Sequence, residues 1–244
     1  MRPLPILLAS CVALAAWLGL HALPGMAADT PREPVVVELF TSQGCSSCPP
    51  ADVLAAKLAK EPGFVVISRP VTYWDRLGWK DTLAREENTR LQRAYGARGF
   101  DGQGVYTPQV VLDGRAGAIG SQEANIRQIA ARLPHKGQAA IALETLPDGT
   151  TIAGLGGTSA MPAELVLLEI DPLARVAIGS GENGGRKIAY ANVVRGEKRL
   201  VPWNGGKASV RIASSERRGA EAGRRQLLLL RETDGGPILA ARWL

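Results

Sequence analysis

The feature that most constrains this chain is a junction. An apolar run rich in β-branched residues, Val35 to Phe40, passes through Thr41-Ser42-Gln43-Gly44 into Cys45-Ser46-Ser47-Cys48-Pro49-Pro50. The run predicts a strand, and Leu54 and Leu58, four apart, predict a helix over Ala51–Lys60. Two thiols spaced this way, where a strand hands over to a helix, suit thiol–disulfide exchange. The helix start presents uncommitted N–H groups and the positive end of the helix dipole, which stabilise a thiolate. Cys45 is therefore expected to be the exposed nucleophile. Cys48, one turn inside, is expected to attack the mixed disulfide and release product. Pro49 and Pro50 fit a helix start, where few amide hydrogens are committed. The competing reading is a permanent, inert disulfide.

The N-terminus sharpens the cysteine arithmetic. Arg2, the apolar run Ile6–Leu20 and the small residues of Pro24-Gly25-Met26-Ala27-Ala28 form a secretory leader pattern, expected to occupy residues 1–28. The apolar run is shorter than the ~20 residues of a spanning helix, so no stable membrane insertion is expected after cleavage. Of three cysteines, Cys11 leaves with the leader, and only Cys45 and Cys48 remain. In an exported, oxidising compartment (periplasmic or extracellular), so small a loop cannot staple a fold; the pair is there for its chemistry. One histidine, His135, and one methionine, Met161, remain as further soft ligands. Zinc wants about four ligands and Cu(I) favours Cys with His or Met, so neither metal nor any cofactor beyond the cysteine pair is expected. Removing Arg2 lowers the net charge from +6 to +5. No basic stretch is interleaved with aromatics, and nucleic-acid binding is not expected.

Residues 33–135 alternate in a βαβ manner. Phe64–Ser68 reads as a buried parallel strand, Leu83–Tyr95 as a charged helix, Val105–Gly114 as a strand ending in an Asp-Gly turn, and Gln122–Leu133 as a helix capped by Ser121. Near Pro134 the character changes. Eight short β-type runs separated by Gly-rich turns, with a hairpin signal at Glu182-Asn183-Gly184-Gly185, predict a smaller antiparallel, sandwich-like domain over 138–244.

The order strand, Cys-x-x-Cys, helix, strand, helix, Thr107-Pro108-strand, helix resembles the thioredoxin superfamily. The stretches Val36–Asp52, Tyr73-Trp74-Asp75, Leu77-Gly78-Trp79 and Tyr106-Thr107-Pro108-Gln109 are similar to a family of exported thioredoxin-like proteins catalogued as a domain of unknown function, family 1223. The likeness continues less distinctly through Gly181-Glu182-Asn183 and Asn192-Val193-Val194-Arg195. It implies an α/β thioredoxin-like domain and a cis Thr107-Pro108 bond lying against the cysteines, with Thr107 pairing its backbone with a bound peptide. A cis X-Pro bond turns the chain sharply and leaves a backbone edge free; the alternative is a trans proline at a strand start. Pro70-Val71-Thr72 stands where that family commonly has His and Asp, so no proton-transfer role is carried over there.

Three further groups complete the expected site. Glu38, in an otherwise apolar strand, reads either as a proton relay to Cys48, as a solvated edge residue or as the partner of an arginine. The loop 72–81 follows the second strand and should lie beside Cys45, because parallel strands share a carboxyl edge. Tyr73, Trp74, Trp79 and Tyr106 are then expected to line a groove for an extended peptide, or, for Trp74 and Trp79, to pack over the sheet edge. The expected partners are protein or peptide thiols and disulfides, plus an external redox partner, since no third cysteine remains to shuttle electrons. The rival from another class is a non-catalytic envelope binding or adaptor protein; a metal chaperone is poorly supplied with ligands.

Overall fold

Strand β1 (Val35–Thr41) is buried along its whole length. In the computed structural model, which describes residues 33–100, 104–134, 139–216 and 223–244, it is followed by α1 (Pro49–Leu58), β2 (Phe64–Pro70), α2 (Glu86–Ala97), β3 (Gln109–Leu112), β4 (Ala116–Ile119) and α3 (Glu123–Arg132). The leader expected over 1–28, and His135, lie outside the described residues. The two faces of β1 do different work. Val35, Val37 and Leu39 pack against Ala51, Leu54, Ala55 and Leu58 of α1 and Ile126 of α3. Phe40, two residues on from Glu38, packs with Tyr95 of α2, Val71 and Val111. Each fully buried leucine at such an interface stabilises by about 1.5–3 kcal/mol.

The apolar run 64–68 forms β2, parallel to β1 with Val35 opposite Phe64 and Thr41 opposite Pro70. Asp113 and Gly114, both at positive φ, make the expected turn, and the carboxylate of Asp113 accepts from the Val36 N–H at 2.7 Å. A side chain on Gly114 would meet Gly236 O at 2.4 Å, so this glycine serves a close approach as well as a turn. The turn leads into β4, which the alternation of the sequence did not announce. Gln122, not Ser121, stands at the N-cap of α3, and it makes no side-chain cap.

The C-terminal half brings β5 (Ala139–Thr145), β6 (Thr151–Gly157), β7 (Ala163–Ala177), β8 (Lys187–Trp203), β9 (Ala208–Ile212), β10 (Arg225–Glu232) and β11 (Ile238–Trp243). Two of the short runs expected there merge into the 15-residue β7, and another extends into the 17-residue β8. The later strands join the earlier ones in one compact unit, Arg32–Leu244. Among the described residues the strands make a mixed eight-stranded sheet in the order β11-β10-β7-β8-β2-β1-β3-β4, and a three-stranded antiparallel sheet, β5-β6-β9. The reason is an open edge. Without β8, strand β2 would present unpaired backbone to solvent. Strand β8 runs parallel to it with Ser68 opposite Val193, Ser68 Oγ donates to Ala191 O at 2.8 Å, and Asn192 Nδ2 donates to Val66 O at 2.9 Å. The small sheet lies on the large one through Ile141, Ala153, Leu155 and Ile212, packed with Leu165, Leu167, Leu228 and Leu230. The other face of β7 and β10 packs with Val36, Val65 and Ile67.

Candidate functional site

Cys45 and Cys48 form a disulfide with Cα atoms 5.4 Å apart. Cys48 already has helical dihedrals at the N-cap of α1, Pro49 and Pro50 open the helix, and Ala51 and Asp52 donate their N–H groups to Cys48 O at 2.8 and 3.1 Å. Ser47 Oγ lies 3.4 Å from Cys45 Sγ. The expectation of an exposed Cys45 is corrected: Cys45 and Cys48 are both 0% exposed, whereas Ser46 and Ser47 are exposed.

What covers the motif comes from the other half of the chain. The segment Ile178–Arg186, between β7 and β8, lies on it like a strap. Asn183 Nδ2 donates to Gln43 O at 3.0 Å and to Cys45 O at 2.8 Å, and Glu182 Oε2 accepts from the Ser46 N–H at 3.1 Å. Arg186 Nη1 donates to Asn183 Oδ1 at 2.8 Å, which fixes the amide with its NH2 toward the two carbonyls. Sequence reasoning missed this role; Glu182-Asn183 read as a hairpin turn, although the faint family likeness there was a signal.

The 72–81 loop sits beside the motif. Trp79 Nε1 donates to Gln43 Oε1 at 2.8 Å, the Gln43 N–H donates to Asp81 Oδ2 at 2.8 Å, and the Trp74 side chain lies against Gly44. Trp74 Nε1 also donates to Thr107 Oγ1 at 2.8 Å, joining this loop to the Thr107-Pro108 bond, which is cis. Pro108 is buried, and it and Ala51 of α1 both border Gly120. Tyr73 is half-buried and packs, with Trp74, against the Phe40–Tyr95 cluster. Tyr106 is half-buried, and its carbonyl accepts from Gln92 Nε2 at 2.6 Å.

Glu38 is placed elsewhere. Its carboxylate accepts from Arg69 Nε and from Tyr95 OH, both at 2.5 Å, with all three side chains buried. Arg69 reaches on to Asn88 and Glu197, and Arg231 joins Glu197 to Glu164. This is the arginine-partner alternative; the relay expected of Glu38 has no geometric support, since α1 and Cys48 pack on the opposite face of β1. A buried acid near Cys48 is Asp52, one helical turn further along α1, which sequence reasoning did not single out. Thr41 Oγ1 donates to Asp52 Oδ1 at 2.8 Å, and among the described residues neither the buried Oδ2 nor the buried hydroxyl of Tyr190 has a hydrogen-bond partner. Burial pushes the Asp52 carboxyl well above the usual carboxylate range; the Thr41 hydroxyl opposes this and Asp81 adds to it. Burial also raises Tyr190, with Asp52 and Asp81 contributing in the same direction.

Among the described residues no group of three or more His, Cys, Asp or Glu side chains is arranged to hold a metal, and no helix is long and apolar enough to cross a membrane. The crystal structure of protein AGR_C_4864 from Agrobacterium tumefaciens is similar, with 30% identity and a TM-score of 0.73, covering 87% of this chain and 94% of that one. HBP35 of Porphyromonas gingivalis is similar in fold alone, at 12% identity and a TM-score of 0.51, covering 87% of this chain and 75% of that one. No curated protein matches the chain. Residues 36–230 match the model of a family described as a protein of unknown function, DUF1223, and the chain belongs to that family.

Proposed function

We propose that this protein is an exported thiol–disulfide oxidoreductase on a thioredoxin-like core, residues 33–135, acting on peptide or protein thiols and disulfides. The observation that carries the reading is the Cys45–Cys48 disulfide at the start of α1, tied through Gly44, Trp74 and Thr107 to a cis proline. In the reductive direction Cys45 thiolate, stabilised by the helix start and within reach of the Ser47 hydroxyl, attacks a client disulfide. One client sulfur leaves as thiolate and the other stays bound to Cys45. Cys48 then gives its proton to Asp52 and its sulfur attacks Cys45 Sγ. The Cys45–Cys48 bond forms, the mixed disulfide breaks, and the second client thiolate departs and takes up a proton. The client is reduced, the pair is oxidised, and an external dithiol must restore it; oxidation of a client runs the same steps backwards.

Full burial of both sulfurs favours a second reading, in which the disulfide is a fixed brace and the protein an envelope adaptor. Insulin-disulfide reduction by wild type and Cys45→Ser separates the two. Turnover by wild type that vanishes in the variant is expected; no turnover with any reductant overturns the oxidoreductase reading. The direction follows from the reduction potential, about −120 mV for a strong oxidant and about −270 mV for a reductant.

A further inference from the structure

A nucleophile cannot reach a sulfur that has no exposed surface. Both sulfur-bearing residues are 0% exposed, and the strap Ile178–Arg186 bonds directly to the loop that holds them. We infer that this strap is a gate over the Cys45–Cys48 disulfide, held shut by Asn183 and Glu182, which a thiol partner must find open before Cys45 Sγ can react. The inference rests on reading the pair as redox-active and adds how access to it is regulated.

The construction of the strap suits a part that moves as a unit. Its neck is closed by two backbone bonds, Ile178 N–H to Arg186 O at 2.9 Å and Gly185 N–H to Ile178 O at 2.8 Å. Between them, Gly179, Gly181, Gly184 and Gly185 contribute no side chains, and only Ile178 and Asn183 are buried. Few buried contacts and a glycine-rich backbone place such a segment at the low end of local stability. Its grip on the motif is specific. Asn183 holds the carbonyls of Gln43 and Cys45, on either side of Gly44, and Glu182 holds the amide that follows Cys45. Trp79 sits underneath: a side chain on Gly179 would lie 2.8 Å from its ring, and Ser180 Oγ donates to Gly78 O at 2.8 Å. Lifting the strap therefore frees the backbone around Cys45 and opens the space over it in one motion.

A small dithiol reads the gate without any client protein. The oxidised full chain is mixed with increasing dithiothreitol, and new thiols are counted by alkylation and mass. A gated disulfide gives a rate that rises and then saturates at the opening rate. Asn183→Ala is expected to raise the initial slope roughly tenfold, the equivalent of one or two net hydrogen bonds. Glu182→Ala, at an exposed side chain with little bearing on folding, is expected to raise it a few-fold. Rates that stay linear in dithiothreitol and equal in all three proteins overturn the gate. Insulin turnover in the same preparations keeps the two inferences apart. Wild-type turnover with ungated dithiothreitol kinetics refutes the gate alone, and gated kinetics with no turnover refutes the oxidoreductase reading alone.

Discussion

The two faces of β1 carry two buried polar clusters that differ in how their acids are met. On one face Glu38, Arg69, Tyr95, Asn88, Glu197 and Arg231 pair charge with charge across β1, β2, α2, β8 and β10. On the other, Thr41 and Asp52 form one hydrogen bond, and Asp52 Oδ2 and Tyr190 OH have none among the described residues. The first cluster is close to neutral and pins elements together. The second holds an acid that no cation among the described residues compensates, an arrangement that costs stability and persists where proton transfer is useful. A buried acid is thus a candidate for chemistry when it is left unpaired, and a structural part when it is paired.

The largest expected effect tests the pairing rule. Arg69→Met strands Glu38, and breaking one partner of a buried pair costs about 3–5 kcal/mol. Urea unfolding should show that loss, while per-molecule exchange activity of the folded fraction stays near wild type. A variant as stable as wild type would mean that the cluster is not what joins β2 to α2 and the C-terminal strands.

Next is Asp52→Asn, expected to slow resolution of the mixed disulfide by about a hundredfold, the range of a positioned general base. Stopped-flow measurement of that step, with formation of the mixed disulfide recorded separately, checks it. Equal slowing of both steps would assign Asp52 to positioning of the helix start.

The two clusters should also respond to pH with opposite sign. Despite burial, Arg69 and Arg231 hold the Glu197 carboxyl down at about 2. Its contribution is therefore present above the unfolded value of about 4.3 and is lost as pH falls from there through about 2. Asp52 is raised, so the folded state binds the extra proton and stability falls as pH climbs from about 3.9 through the folded-state value. Urea midpoints against pH should show Glu197→Gln flattening the acid limb and Asp52→Asn flattening the decline above it. A single variant that flattened both limbs would join the clusters into one.

The smallest effect concerns the link to the cis proline. Trp74→Phe removes the bond to Thr107 Oγ1 and should cost about 1 kcal/mol of stability, with a weaker apparent affinity for peptide substrate. An unchanged KM would leave Trp74 as packing over Gly44 and the Phe40 cluster.

Much of the local structure is legible in the sequence. The β-branched run gave β1, the apolar run at 64–68 gave a parallel β2, Asp113-Gly114 gave a turn, and the paired prolines gave the start of α1. Each is a short-range pattern, set by period-two or helical spacing or by the φ angles a residue tolerates. A change in secondary-structure type, as near Pro134, looks like a domain boundary in sequence. It takes the third dimension to show that the later strands complete the open edge of β2.

The cysteine pair stands on both sides of that line. Its position at a strand–helix junction was fixed by neighbours within a few residues. Its burial, the arginine that claims Glu38 31 positions away and the asparagine that grips Cys45 O from 138 positions away were not. Hydrogen bonds between single polar groups on distant segments leave no periodic trace in a sequence, because one donor and one acceptor suffice wherever the fold brings them together. The sequence by itself determined that two thiols sit at the start of a helix. Only the tertiary structure decided which acid lies near them and what covers them.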